Sequence, residues 1–282
     1  MAIVRPWRRS PSGPGHLLPP PFVCYDGLSI MHSLPSLLLL YASIVFVQME
    51  APSAALSDDS PEVNIQHVSF PTEDNALIYA DLYGEADRGV VLAHGARFTK
   101  ESWQPQAQSL AKAGFRVLAF DFRGFGKSHG PGDSDMYTAP VELDVLAAVR
   151  YLRQNGVKTV SVMGGSFGGA AAADASVGSQ PGEINRLILL AAKGNGSAER
   201  IKSPLLIIVA RADADQEGLR LPRIRDWFDK APQPKELIVL DGSAHAQFLF
   251  QTDQANRVMK EVLRFLAGAE LPTETPHSVN QR

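Results

Sequence analysis

Short runs of mostly apolar residues, rich in valine, isoleucine and leucine, recur through the central part of this chain of 282 residues. Such runs are typical of strands that are covered on both faces. Longer amphipathic stretches with helical spacing separate them, which is the pattern of βα units. The sequence therefore predicts an α/β fold with a mostly parallel central sheet and helices on both of its faces. The six runs are residues 90–93, 117–120, 160–163, 187–190, 205–209 and 237–240.

The segments around these runs complete the predicted domain. Residues 64–70 and 76–83 have strand patterns joined by a turn-forming segment, which predicts an opening antiparallel pair. The predicted α/β domain covers residues 63–268, and a polar tail covers residues 269–282. The predicted helices are residues 101–113, 140–154, 167–177, 217–230 and 252–266.

Residues 1–62 differ in composition from the predicted domain and are interpreted as a leader and linker. Residues 34–47 are apolar and uncharged, but this run of about 14 residues falls short of the roughly 20 that a membrane-spanning helix requires. Its length is typical of the apolar core of a signal peptide, and small residues up to Ala55 offer a cleavage site. The sequence therefore predicts an exported protein, either secreted or periplasmic. The alternative is that residues 34–47 remain as a membrane anchor, and membrane association is expected through this segment only.

Charge and cysteine content exclude several classes of function. The chain has 27 lysines and arginines against 30 aspartates and glutamates, a net charge of -3, and no sustained basic run. Nucleic-acid binding is therefore not expected, because a basic surface supplies most of that affinity. Cys24 is the single cysteine, which excludes an intramolecular disulfide and a cysteine-based zinc site. We expect no cofactor and no metal ion.

Chemistry in parallel sheets lies at the carboxyl ends of strands, and the end of one predicted strand has a distinctive sequence. Ser166 follows the run 160–163 and, with Gly164 and Gly168, fits the pattern G-x-S-x-G. Between a strand and a helix, these glycines permit a sharp turn that lifts the serine hydroxyl clear of the sheet. Ser166 is therefore the candidate nucleophile. The alternative interpretation is a serine that only caps the following helix.

A serine hydroxyl needs a base, and that base needs a carboxylate to hold it. His245 follows the run 237–240 in a loop of small residues, from which an imidazole can reach Ser166. The carboxylate is expected after the preceding strand, where both Asp213 and Asp215 lie. Asp213 is the better candidate by its spacing, and Asp215 is the alternative.

The chain order Ser166, Asp213, His245 is the order of the α/β-hydrolase fold. Residues 92–96 and 121–128, each directly after a strand, also match segments of this family. The predicted domain therefore resembles a serine α/β-hydrolase of the compact type that has no cap domain, such as an esterase or a dienelactone hydrolase. The likeness to dienelactone hydrolase stops at the nucleophile, which is a cysteine in that enzyme and a serine here.

The resemblance implies roles for four further residues. The backbone N–H groups of Ala96 and Phe167 would form the oxyanion hole. The imidazole of His94 would order its turn by hydrogen bonding, and Arg123 would tie loops together near the site.

The sequence also limits the shape of the site. Only about 14 residues separate the run that ends at position 190 from the run that begins at position 205, which leaves no room for a cap domain there. An open or shallow site is therefore expected, with Arg97 as a candidate group for binding a carboxylate. The candidate lining residues are Arg97, Phe98, Trp103, Phe167, Phe248 and Phe250.

The predicted function is hydrolysis of small or exposed carboxylic esters through an acyl-enzyme at Ser166, with His245 as the base and Asp213 as its partner. An amidase or a peptidase that acts on short peptides is the alternative within the same fold, because both reactions use the same three groups. Cofactor-free, peroxide-dependent perhydrolysis is a further alternative. A ligand-binding protein that keeps the fold without catalysis is the alternative of another class.

Overall fold

The computed structural model describes residues 64–268 of the chain. The leader predicted over residues 1–62 and the tail predicted over residues 269–282 lie outside the described residues. Within the described range, no helix is long and apolar enough to cross a membrane. The strands are β1 (Ile65–Pro71), β2 (Leu77–Tyr83), β3 (Arg88–Ala93), β4 (Arg116–Phe120), β5 (Thr159–Gly165), β6 (Leu187–Leu190), β7 (Leu205–Ala210), β8 (Ala214–Asp215), β9 (Gly218–Leu219) and β10 (Lys235–Leu240). The α-helices are α1 (Gln104–Lys112), α2 (Glu142–Gln154), α3 (Phe167–Gly178), α4 (Arg220–Lys230) and α5 (Ala255–Leu266).

Eight of these strands form one sheet in the order β1-β2-β4-β3-β5-β6-β7-β10. The pairs β1 with β2 and β2 with β4 are antiparallel, and the remaining neighbours are parallel. The predicted antiparallel opening pair and the predicted mostly parallel sheet are therefore confirmed. Strands β8 and β9 form a separate short hairpin.

The strand order brings two chain segments together at one edge of the sheet. Strand β3 lies between β4 and β5, so the chain leaves β3 on one side and later returns to its other side. Such a reversal opens a crevice at the carboxyl ends of parallel strands, where ligands bind in α/β sheets. Ala93 at the end of β3 pairs with Gly164 near the end of β5. The residues that follow these two strands consequently lie side by side.

The apolar runs form a core that has almost no contact with solvent. Every residue of β6 and of β7 is buried, as expected for strands that are covered on both faces. Helix α3 carries alanines at positions 170–173 and packs on β5 and β6. Because these side chains are small, the helix backbone lies close to the sheet.

Helix α4 begins later than the sequence pattern predicts. The pattern indicated a helix over residues 217–230, but the helix starts at Arg220. The intervening residues form the β8–β9 hairpin, in which Gly218 has a φ of 99° and pairs with Asp215. Glycine adopts this backbone conformation without steric cost, so the turn displaces the first predicted helical residues.

Arg123 is fully buried and holds the long connection between β4 and α2. Its guanidinium donates hydrogen bonds of 2.9 Å to the carboxylates of Asp74 and Asp144 and to the carbonyl of Pro131. The hydrogen bond from Arg123 lowers the pKa of Asp74 to about 2, whereas burial raises the pKa of Asp144. Arg123 therefore ties together loops that border the carboxyl end of the sheet, in agreement with the role that the family resemblance implied.

Candidate active site

Ser166 occupies a sharp turn between β5 and α3. Its backbone has φ 51° and ψ -117°, a conformation that residues with side chains rarely adopt. The turn requires glycine on both sides. A Cβ atom at Gly164 would lie 2.3 Å from the carbonyl oxygen of Gly168, and a Cβ atom at Gly168 would lie 2.4 Å from that of Ala93. The glycines of the G-x-S-x-G pattern thus allow the strand, the turn and the helix to pack at backbone contact.

Three side chains from distant parts of the sequence form a continuous hydrogen-bonded chain at this turn. The Oγ atom of Ser166 lies 2.8 Å from Nε2 of His245, and Nδ1 of His245 lies 2.7 Å from Oδ2 of Asp213. His245 follows β10, and Asp213 follows β7, where its carboxylate is almost completely buried. The structure therefore brings together the three side chains that the sequence singled out. In this arrangement Nδ1–H donates to the carboxylate, and Nε2 is free to accept the serine proton.

The two aspartates after β7 have different surroundings. Asp213 faces His245, whereas Asp215 lies in the β8–β9 hairpin and binds Arg223 at 2.6 Å and Arg220 at 3.0 Å. Desolvation acts to raise the pKa of Asp215, but the hydrogen bonds from Arg223 and from the N–H of Glu217, together with the charges of Arg220 and Arg223, hold this pKa below its usual value. Of the two carboxylates that the sequence left open, Asp213 is the one in contact with the imidazole.

Ala96 and Phe167 line the same cavity as Ser166. Phe167 is the first residue of α3, so its N–H has no carbonyl partner within the helix. The N–H of Ala96, in the turn after β3, donates to no other group within residues 64–268. Both donors are therefore available to a ligand oxygen.

His94 is completely buried in the turn after β3 and makes no hydrogen bond to Ser166. Its Nε2 accepts a hydrogen bond of 3.3 Å from the N–H of Phe122, so its proton is on Nδ1, which donates to the carbonyl of Gly95 at 2.9 Å. Burial lowers the pKa of His94 to about 4. The neutral imidazole thus orders the turn, as the family resemblance implied.

The buried imidazole of His94 should make the folded protein sensitive to acid. Its pKa is lowered from 6.5 to about 4, so the unfolded chain binds this proton more readily than the folded chain. We expect the His94 contribution to the free energy of unfolding to fall by about 3 kcal/mol as the pH drops through this range, with no further loss below it. Urea unfolding of the wild type and of His94→Asn at several pH values would test this. Equal pH dependence in both proteins would contradict the prediction.

A cavity of about 650 Å³ opens beside Ser166. Its wall comes from the connection between β4 and α2, the first turns of α3, the segment after β6 and the start of α4. The segment between β6 and β7 contains only a short 3-10 helix (Ala198–Arg200), so no cap domain is inserted there. The cavity is lined by Ala96, Met136, Tyr137, Thr138, Ala139, Pro140, Val141, Glu142, Ser166, Phe167, Ala170, Ala171, Asp174, Ala191, Ala192, Lys193, Asn195, Arg220, Arg223 and Ile224.

The prediction of lining residues was wrong for five of the six candidates, which do not line the cavity. Phe167 lines the cavity, but Trp103 is buried in the core and packs edge-on against Phe250. Phe98 packs against Phe248, and neither ring lines the cavity. Arg97 is exposed and does not line the cavity either.

The cationic groups that do line the cavity were missed by the sequence analysis. They are Lys193, Arg220 and Arg223, and the acidic side chains of Glu142 and Asp174 line the same cavity. The two arginines lie in the first turn of α4, where their spacing resembles that of an ordinary solvated helix face. Within residues 64–268, no group of three or more histidine, cysteine, aspartate or glutamate side chains is arranged to hold a metal ion.

Comparison with known proteins identifies the family. Residues 90–277 match the model of a family described as the alpha/beta hydrolase family. The chain belongs to the alpha/beta hydrolase family. This family member is 27% identical to the AB hydrolase superfamily protein YisY of Bacillus subtilis (strain 168) over 168 residues, which cover 59% of this chain and 56% of that protein. It is 40% identical to an epoxide hydrolase of Caballeronia sordidicola over 53 residues, which cover 19% of this chain and 16% of that enzyme.

The chain thus spans at most about half the length of these curated relatives. Among solved structures, the Pyrococcus furiosus esterase Pf2001 matches with a TM-score of 0.64 and 22% sequence identity. The match covers 73% of this chain and 93% of the esterase. At this identity the likeness shows a shared fold, and the α/β-hydrolase fold predicted from the sequence is confirmed.

Proposed function

We propose that this α/β hydrolase is a serine hydrolase that cleaves carboxylic esters of small molecules. The observation that carries the proposal is the hydrogen-bonded chain from Ser166 through His245 to Asp213, with distances of 2.8 Å and 2.7 Å. At 2.8 Å a base can take a proton from a nucleophile, and the 2.7 Å hydrogen bond to the carboxylate holds the imidazole in place. A cavity of about 650 Å³ beside the serine has the size of a small-molecule site.

In the first half of the proposed reaction, Nε2 of His245 takes the proton of Ser166 while Oγ attacks the ester carbonyl carbon. The carbonyl π electrons move to its oxygen, and the N–H groups of Ala96 and Phe167 donate to the resulting oxyanion. The intermediate then collapses, the bond to the leaving alkoxide oxygen breaks, and His245 gives its proton to that oxygen. The products of this half are an alcohol and an ester of Ser166.

In the second half, water attacks the carbonyl carbon of the acyl-enzyme. His245 takes one proton from this water and returns it to Oγ of Ser166 as the acyl-oxygen bond breaks. The products are a carboxylic acid and the free serine. Asp213 accepts the Nδ1–H hydrogen bond throughout, which keeps the unprotonated Nε2 towards the serine and stabilises the imidazolium when it forms.

The chemistry of the nucleophile favours ester cleavage over the epoxide opening that the name of one relative states. If Oγ of Ser166 opened an epoxide, the product would be an ether between the serine and the substrate. An ether has no carbonyl carbon for water to attack, so the enzyme would stay alkylated. An ester substrate instead leaves an acyl-serine, which water can release.

A fluorophosphonate probe tests the proposed nucleophile directly. Oγ of an activated serine attacks the phosphorus and displaces fluoride, which leaves a stable adduct. We expect mass spectrometry to find this adduct on Ser166 of the wild type and no adduct on Ser166→Ala or on heat-denatured wild type. A folded wild type that remains unlabelled would contradict the proposal and favour a ligand-binding protein that has lost catalysis.

A matched pair of substrates then separates ester from amide cleavage. A p-nitrophenyl ester and a p-nitroanilide with the same short acyl group differ only in the leaving group. We expect the ester to have the higher kcat/KM, since its leaving group departs more easily. A higher value for the anilide would favour the amidase alternative.

A further inference from the structure

Gln247 is a buried polar side chain two residues after His245. It lies in a 3-10 helix (Ala246–Gln251) and is 5% exposed. Its Oε1 accepts a hydrogen bond of 2.8 Å from the N–H of Gly95, 152 residues earlier in the chain. This bond joins the segment that carries the proposed base to the turn that carries Ala96.

The orientation of the Gln247 amide is fixed by its second partner, Ser102. Nε2 of Gln247 donates to Oγ of Ser102 at 2.6 Å, and that hydroxyl in turn donates to the carbonyl of Thr99 at 2.6 Å. Because the only hydroxyl proton of Ser102 is used on Thr99, Ser102 can only accept from Gln247. The amide therefore keeps its oxygen towards Gly95.

The same amide oxygen lies close to two glycines, Gly95 and Gly165. A Cβ atom at Gly95 would lie 3.1 Å from Oε1 of Gln247, and a Cβ atom at Gly165 would lie 3.3 Å from it. Gly95 directly precedes Ala96, and Gly165 directly precedes Ser166. One side chain thus bonds the residue before the proposed oxyanion donor and lies beside the residue before the proposed nucleophile.

We propose that Gln247 is a positioning residue that sets the N–H of Ala96 relative to Ser166 and His245. This inference rests on the proposed serine-hydrolase function. Without Gln247, the N–H of Gly95 would be buried without a partner, and the turn would shift to find another acceptor. A shift of about 1 Å moves the Ala96 donor away from the position of the oxyanion, and a misplacement on this scale costs about a hundredfold in rate.

The test compares Gln247→Met with a control variant at Thr252, the residue directly after the same helix. Methionine has a similar size but neither hydrogen bond. Thr252→Val removes the hydroxyl that donates to the carbonyl of Leu249 and accepts from the N–H of Gln254, so it perturbs the end of this 3-10 helix without touching Gly95. The measurements are kcat, KM, the thermal midpoint and the affinity for a trifluoromethyl ketone, which forms a tetrahedral oxyanion adduct with an active serine.

For Gln247→Met we expect kcat and the ketone affinity to fall together by about a hundredfold, with KM within about threefold of the wild type. Thr252→Val should keep both values near wild type at a comparable thermal midpoint. Ser102→Ala, which frees the amide but leaves the Gly95 bond, should lose about tenfold in both, and it tests the inference if Gln247→Met does not fold.

Two results would overturn the inference while leaving the proposed function intact. One is a fluorophosphonate-reactive wild type whose folded Gln247 and Ser102 variants keep wild-type kcat and ketone affinity. The other is an equal loss in Thr252→Val, which would mean that any damage to this helix has the same effect. A wild type that neither reacts with the probe nor binds the ketone would instead overturn the proposed function, and this inference with it.

Discussion

Replacement of Ser166 by alanine should lower kcat for an ester substrate by about 10⁴- to 10⁶-fold without unfolding the protein. The reason is that Oγ is the only atom removed, and in the proposed mechanism this atom forms the acyl-enzyme. The measurement is steady-state hydrolysis of a p-nitrophenyl ester, with circular dichroism and thermal unfolding of the same samples. A variant that keeps more than about a tenth of the wild-type kcat would show that the nucleophile is another group.

The strained backbone at Ser166 supplies a matched control for this experiment. Alanine keeps the Cβ atom and therefore the strain of φ 51° and ψ -117°. Glycine adopts such a conformation freely, so Ser166→Gly should be as inactive as Ser166→Ala but more stable than it by about 1 kcal/mol. A loss of activity in both variants, with Ser166→Gly the more stable of the two, separates the missing hydroxyl from any disturbance of the fold.

The strands and the hydrogen-bonded chain at Ser166 could be predicted because each depends on a local pattern. Short, uninterrupted apolar runs rich in β-branched residues are typical of strands with both faces buried, and six of them predicted the parallel sheet. The glycines at positions 164 and 168 leave room for a turn that other residues would block. Once those strands are placed side by side, the residues after β5, β7 and β10 lie at one edge of the sheet, and Ser166, Asp213 and His245 follow from that edge.

The cavity wall could not be predicted, because it depends on contacts that have no sequence period. Met136 and Tyr137 belong to the irregular connection between β4 and α2, whose path is set by the buried pairs of Arg123. The role of Gln247 could not be predicted from the sequence either. It lies in a short 3-10 helix, and its partner Gly95 is 152 residues away, so only the three-dimensional structure brings them together.

The second large effect is expected for Asp213→Asn, which should lower kcat by about 10³- to 10⁴-fold. Asparagine has nearly the same shape, but its amide N–H can donate to Nδ1 of His245. That bond would favour the tautomer with the proton on Nε2, which cannot accept the proton of Ser166. The buried position of Asp213, at 1% exposure, leaves no space for water to take over the role of the carboxylate. Steady-state kinetics of the folded variant on the same ester measures the loss.

The matched control is Asp215→Asn, which makes the same chemical change two residues away. Its carboxylate binds Arg220 and Arg223, whereas the imidazole is bound by Asp213, so kcat should stay within about fivefold of the wild type. Arg220 also lies 3.5 Å from Asp213, and a small loss would reflect the altered position of this arginine. If Asp215→Asn lost as much activity as Asp213→Asn, the two carboxylates would act as one unit with Arg220, and the assignment of Asp213 alone would be wrong. A much larger loss in Asp213→Asn than in Asp215→Asn would instead show that the carboxylate in contact with Nδ1 of His245 is the one that supports catalysis.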